Sequence, residues 1–242
     1  MARYMKWNDG TLDERTKLKV KAIQKGLHAY EDGLLGDFSL DSLYRRFADI
    51  SFPYAEKFFG AFVVYTTPER LHFKDVKNTK AVKDFPFSAS GTFQWDNKAT
   101  SILVDGEVLG ETSAHAWRGF PESVLYYDGE VKYGRYTNAE NIKCKWAIGG
   151  LGLTNYNPEV EGFTGKYSDV LRKTNHAGIG VTEEGQICYF LKENCTIADF
   201  KKLANEYLKL RYAINLDGGH IPALNAKYKF NRYQKQGNII LF

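Results

Sequence analysis

Residues 211–225 read RYAINLDGGHIPALN, a short apolar run that ends abruptly on Asp217 and the pair Gly218-Gly219. Just upstream, Ile197, Phe200, Leu203, Ala204, Tyr207 and Leu208 recur at helical spacing over Ile197 to Leu210. Thr196 stands at the N-cap position, and Asp199 three residues on completes a capping box. The order is therefore helix, strand, glycine turn. Glycines directly after a strand let the backbone turn sharply and approach a ligand, which leaves Asp217 at the lip of the strand with open space before it. A tight turn whose Asp bonds only its own backbone would look the same locally, so the rest of the chain has to decide.

The chain of 242 residues is 43% hydrophobic and 15% aromatic, enough to bury a full core and to exclude a disordered protein. Its net charge is +4, with the basic residues scattered rather than blocked; this excludes a nucleic-acid stripe and leaves a mild preference for anionic partners. Cys144, Cys188 and Cys195 are odd in number and lack metal-ligand spacing, so they read as reduced thiols. The N-terminus, MARYMKWNDG, has no apolar core of a signal peptide, and no stretch approaches about 18 uninterrupted apolar residues. The expectation is a protein made in the cytoplasm without membrane insertion.

Residues 12–50 differ in kind from the remainder of the chain. LDERTKLKVKAIQKGLHAY and SLDSLYRRFADI are helix-type runs joined by EDGLLGDF. Leu18, Ala22, Ile23 and Leu27 form one apolar stripe, and Leu40, Leu43, Tyr44 and Phe47 the other, with Ser39 as N-cap of the second helix. Gln24, Leu27, Asp32, Gly33, Gly36 and Leu43 resemble the pattern of the peptidoglycan-binding domain of cell-wall hydrolases; a hairpin that only packs on the main domain is the alternative.

From about Phe52 the period turns extended, and FFGAFVVYTT is a β-prone run ending at Thr67-Pro68. Asp105-Gly106 and Asp128-Gly129, each centred in apolar alternation, read as two-residue hairpin turns, and Glu183-Glu184-Gly185 as a third hairpin. A second short helix is expected near Tyr167 to Lys173. The class is α+β, mostly antiparallel sheet with one or two packed helices, with a small N-terminal helical unit over 1–52 and the main domain over 53–242. No G-x-x-x-x-G-K-[ST] loop is present, so nucleoside triphosphate hydrolysis is not indicated.

Glycine-rich patches sit at strand ends: Ser90-Gly91-Thr92-Phe93, Ile148-Gly149-Gly150-Leu151-Gly152 and Asn215-Leu216-Asp217-Gly218-Gly219. Taken in order with the hairpins between them, they resemble the phosphodiester glycosidase family, whose best-known member removes N-acetylglucosamine from a phosphodiester. The likeness covers about residues 60–230. The family's Arg-Thr-Ala-Ile-Gly-Val strand matches His176-Ala177-Gly178-Ile179-Gly180-Val181, with His176 in place of the Arg. Ser90 stands for the usual Asn of the first patch, and His220-Ile221 stand where the family's last motif has Gly-Ser.

Cleaving a sugar from a phosphate needs an acid or base at the anomeric oxygen, stabilisation of an oxocarbenium ion and donors for phosphate oxygens. Asp217 is the candidate carboxylate, and His176 and His220, which the resemblance puts at the substrate, are candidate proton carriers or phosphate donors. Asn215 is placed to bond or orient the sugar, while the N–H groups of Gly218, Gly219 and Gly91 could cradle an anion. Thr92, Gly149 and Gly150 belong to the same patches. His115 and Arg118 are further candidates, with Trp117 or Trp95 to stack on a sugar. No cofactor is expected; a divalent cation on His176, His220 and Asp217 is conceivable but has no ligand spacing in its favour. The reading is a hydrolase of a bacterial cell-envelope glycopolymer, of the kind a bacteriophage uses in lysis. The alternatives are a same-fold enzyme acting on a soluble glycosyl phosphate or nucleotide-type metabolite, and a non-catalytic carbohydrate-binding or virion protein.

Overall fold

The computed structural model describes residue 21 and residues 53–95, 98–99, 102–104, 107–109, 120–137, 141–162 and 172–242. The chain divides into the units Met1–Ser51 and Phe52–Phe242, and the second holds the strands. The helical pair expected over 12–50, apart from residue 21, the Asp105-Gly106 turn and residues 167–171 of the second helix expected near Tyr167 to Lys173 lie outside the described residues.

In chain order the first strands are β1 (Tyr54–Phe58), β2 (Ala61–Thr66), β3 (His72–Thr79), β4 (Ser88–Ser90), β5 (Gln94–Trp95) and β6 (Lys98–Ala99). Next come β7 (Ile102–Val104), β8 (Glu107–Val108), β9 (Glu122–Tyr127), β10 (Val131–Tyr136), β11 (Trp146–Gly152), β12 (Thr174–Val181) and β13 (Ile187–Cys195). Helix α1 (Ile197–Lys202) precedes β14 (Tyr212–Asn215), β15 (Leu224–Asn225), β16 (Lys229–Phe230) and β17 (Gln236–Leu241). One sheet runs β1-β2-β13-β12-β14-β11-β7-β8, with β9 on β11 and β10 on β9; a second runs β16-β15-β4-β17-β3. Every pairing among the described strands is antiparallel. The structure bears out the sheet-rich α+β class.

The two sheets share one core. Val64, Leu125, Ile148, Ile179, Leu191, Ile214 and Leu216 of the first meet Ala89, Leu224 and Ile240 of the second, all buried. α1 covers the other face of the first sheet, where Phe200 packs on Phe190 with ring centroids 4.8 Å apart. Its Thr196–Asp199 capping box forms as the sequence predicts. The α-helix is shorter than expected, because Leu203–Tyr207 widen into a π turn in which Leu208 N–H reaches the Leu203 carbonyl at 2.8 Å.

Two turns also differ from their reading. The run FFGAFVVYTT is not one strand: Phe59 and Gly60, at φ 46 and 71, close a tight hairpin between β1 and β2. The Asp128-Gly129 turn spans three residues, since Tyr127 pairs with Val131, and the Asp128 carboxylate binds Lys132 Nζ at 2.7 Å across it. The hairpin at Glu183-Glu184-Gly185 forms between β12 and β13.

Candidate active site

β14 lies between β12 and β11, with Asn215 opposite Gly178 on one side and Leu151 on the other. The chain then leaves the first sheet at Leu216 and crosses to the second, entering it as β15. Asp217 sits at the start of this crossing. β12 pins it there: Leu216 N–H donates to the Ala177 carbonyl at 2.8 Å and Gly219 N–H to the Asn175 carbonyl at 2.9 Å. Between those two bonds, His176 Nδ1 lies 3.2 Å from Asn215 Oδ1.

The Asn215 amide fixes the tautomer of His176. Asn215 Nδ2 donates to the Leu216 carbonyl at 2.8 Å, so Oδ1 is the acceptor and the imidazole proton sits on Nδ1. His176 is 1% exposed, and its ring stacks on Phe200 with centroids 5.3 Å apart. Burial pushes its pKa down, against the opposing Asn215 bond and main-chain groups of Arg172 and Cys195, which leaves a neutral ring. Among the described residues its Nε2 has no hydrogen-bond partner.

Asp217 is partly exposed, at the point where the chain leaves β14. Burial raises its carboxyl to about 7, with only the Gly218 N–H, 2.9 Å from Oδ1, acting the other way. Among the described residues no cation contributes to holding its charge. A carboxyl in that state exchanges a proton near neutral pH.

The three glycine patches converge beside it. Thr92 Oγ1 donates to the Gly149 carbonyl, which ties the end of β4 in the second sheet to β11 in the first. A Cβ on Gly150 would fall 2.3 Å from the Asn215 carbonyl oxygen, and one on Gly91 would fall 1.7 Å from Asn238 Oδ1. Both positions require glycine through close approach. The N–H groups of Gly218, Gly219 and Gly91 already donate to Asp217 Oδ1, the Asn175 carbonyl and the Asn238 carbonyl. This corrects the expected anion cradle, since those donors are committed within the protein.

His220 is exposed, and its carbonyl accepts from Asn231 Nδ2 at 2.7 Å; among the described residues nothing ties its ring to the His176–Asn215 pair. His115, Arg118 and Trp117 lie outside the described residues, as does the side chain of Trp95. Among the described residues no three His, Cys, Asp or Glu side chains group to hold a metal ion.

Two groups escaped the sequence reading. Asn238, fully buried, brackets the main chain of Thr92, accepting from its N–H at 2.9 Å and donating to its carbonyl at 3.1 Å. A polar residue within the apolar run Asn238-Ile239-Ile240 was the available signal, because a buried amide has to be hydrogen-bonded. Glu161, also fully buried, accepts from Ser123 N–H and Gly152 N–H, each at 3.1 Å, and pairs with Arg135, clamping β9 to the end of β11. Its partners are distant in sequence, and nothing local announces it.

Comparison with known proteins matches the phosphodiester glycosidase family to residues 76–240. The fold is similar to the catalytic domain of zebrafish N-acetylglucosamine-1-phosphodiester alpha-N-acetylglucosaminidase auto-inhibited by its pro-peptide. That likeness has a TM-score of 0.56 and 13% identity, over 79% of this chain and 81% of that one. A hypothetical protein from Synechocystis is similar at a TM-score of 0.45 and 10% identity, over 78% of this chain and 60% of that one. No curated protein matches. With two thirds of its length matched and the motif segments of that match gathered around Asp217, the chain belongs to the phosphodiester glycosidase family, a family of hydrolases.

Proposed function

We propose that this protein hydrolyses a glycosyl phosphodiester in a bacterial cell-envelope glycopolymer, with Asp217 as the acid. The observation that carries the reading is the Asp217 carboxyl, raised to about 7 by burial at a solvent-reached strand end. Protonated Asp217 gives its proton to the oxygen bridging sugar and phosphorus as the bond from that oxygen to the anomeric carbon breaks. Water adds to the carbon and loses a proton, so the products are a free sugar and a phosphate monoester. The zebrafish neighbour acts, by its name, on an N-acetylglucosamine phosphodiester, which makes that bond the first to try. Incubating the protein with purified cell walls should release sugars and phosphate monoesters detectable by mass spectrometry. Release from a small N-acetylglucosamine phosphodiester with none from walls would favour a soluble glycosyl phosphate instead.

In this reading His176 is a positioning residue that holds the Asn215 amide, and through it the turn presenting Asp217. His176→Phe keeps the stack on Phe200 but leaves Asn215 Oδ1 without a donor; turnover should fall roughly ten-fold, the effect of about 1–2 kcal/mol. His176→Asn restores a donor and should recover part of that loss, and both variants should keep the ionisation near pH 7 that belongs to Asp217. Losing that ionisation in His176→Phe would make the imidazole a proton carrier.

Residues 1–52 serve, on this reading, to hold the enzyme at the wall. A chain beginning at Ser51 should turn over a small diester at an unchanged rate while losing sedimentation with walls, a local-concentration effect. A folded truncation that sediments as before would remove the targeting role. The pairing of a wall-binding unit with this hydrolase fits a bacteriophage lytic enzyme.

A further inference from the structure

The end of the first sheet that carries Asp217 carries a second feature. Phe62 of β2 is opposite Leu191 of β13, Leu191 is opposite Ala177 of β12, and the Ala177 carbonyl accepts from Leu216 N–H. Phe62 therefore lies in the same cross-strand row as Leu216, three strand spacings away, about 14 Å. Across the gap between the sheets, Phe62 meets Tyr228 at 6.1 Å and Phe230 at 5.8 Å between ring centroids, and all three rings are partly exposed.

Two lysines stand over these rings. Lys57 Nζ is 5.0 Å from the Phe62 centroid and 5.4 Å from that of Tyr228, and Lys227 Nζ is 5.4 Å from Tyr228. Both lysines are exposed, and among the described residues neither is paired with a carboxylate. Two ammonium groups flanking one phenol ring, with no carboxylate among the described residues to neutralise them, form a site for an anion attached to something that stacks.

The chain also links this platform to Asp217 directly. The crossing segment runs from Asp217 past exposed His220 to β15, and Asn231, next after Phe230, holds it by donating to the His220 and Pro222 carbonyls at 2.7 and 3.2 Å. Asp217, the crossing segment and the two rings Tyr228 and Phe230 thus belong to one run of chain, which passes through β15 and enters β16.

We infer that the Phe62, Tyr228 and Phe230 platform with Lys57 and Lys227 is a distal subsite for a phosphate-bearing glycan, gripping the polymer a few sugar units from the bond at Asp217. The sugar face packs on the rings and the phosphates meet the lysines. The reacting bond rests on the function proposed above; the polyanion grip stands on these residues alone. His220, exposed on the crossing segment after Asp217, is on this inference a contact residue for the bound chain.

The test uses the full chain with poly(glycerol phosphate) teichoic acid bearing N-acetylglucosamine substituents, neutral dextran, and a small N-acetylglucosamine phosphodiester. Lys57→Glu/Lys227→Glu should weaken teichoic acid binding by ten-fold or more, the joint effect of about two exposed charge pairs and the added repulsion. Lys57→Gln/Lys227→Gln should weaken it less, and raising the salt should shrink the difference between wild type and variants. Dextran binding and turnover of the small diester should stay at wild-type levels in both variants, with unchanged circular dichroism. Equal teichoic acid binding by wild type and both variants would overturn the subsite and assign the polymer to another surface, residues 1–52 included. No teichoic acid binding by the wild type, or small-diester turnover falling in step with binding, would overturn it as well. Lysine-dependent binding without hydrolysis of any diester would keep the subsite and sink the proposed reaction.

Discussion

Asp217→Asn is expected to abolish measurable hydrolysis while making the protein more stable at alkaline pH. Removing a positioned acid costs about 10²- to 10⁴-fold in turnover. The stability effect comes from the same burial. Folding raises the carboxyl from 3.8 to about 7, so the folded state favours the protonated form more than the unfolded chain does. Below about pH 4 the group is protonated in both states and contributes nothing. Between about pH 4 and 7 the unfolded chain is ionised while the folded carboxyl holds its proton, so folding has to take up a proton and stability falls; above 7 the folded group ionises too and the cost is complete, at most about 4 kcal/mol. Asn carries no such charge. Denaturant unfolding at pH 4 and pH 8 should therefore show variant and wild type together at the first and the variant ahead at the second. A variant less stable at both would mean that the carboxylate is structurally needed rather than held at a cost for chemistry.

Gly150→Ala is expected to lose about 3 kcal/mol of stability and most activity. The new methyl would meet the Asn215 carbonyl oxygen at 2.3 Å and its carbon at 3.3 Å, both backbone atoms, so no side-chain rotation relieves the overlap. β11 and β14 would have to spread where Leu151 pairs with Asn215, displacing the turn that presents Asp217. Gly91→Ala differs in kind, because it meets the Asn238 side chain and would undo its two bonds to Thr92. A Gly150→Ala protein with wild-type unfolding and turnover would show that the two strands tolerate separation, and that the geometry at Asn215 does not limit catalysis.

What the sequence made legible was local. The order of helix, strand and glycine turn around Asp217, the Thr196–Asp199 cap and the Glu183–Gly185 hairpin each depend on residues within a few positions of one another. The β1–β2 hairpin was hidden because Phe59, a β-prone residue, occupies a left-handed turn position that usually announces itself with Asn or Asp. The π turn after Lys202 was hidden because the apolar spacing of Leu203, Ala204 and Tyr207 suits an α-helix equally well. The burial of His176 depends on Phe200 stacking over it from α1, a contact that no motif encodes. The N–H groups of Gly219 and Gly91 looked free in one dimension; their acceptors, the carbonyls of Asn175 and Asn238, come from other strands. The platform at Phe62 and Tyr228 likewise joins residues more than 160 positions apart in the sequence.

The central claim is that this site breaks the bond between sugar and bridging oxygen, with Asp217 supplying the proton. Hydrolysis of a small N-acetylglucosamine phosphodiester in ¹⁸O-enriched water, with mass spectrometry of both products, tests it most directly. Attack at the anomeric carbon places the heavy oxygen in the free sugar and none in the phosphate monoester, and the rate should fall as pH rises through about 7, where Asp217 loses its proton. Heavy oxygen in the phosphate product would mean that the phosphorus–oxygen bond is cut instead, and would contradict the account.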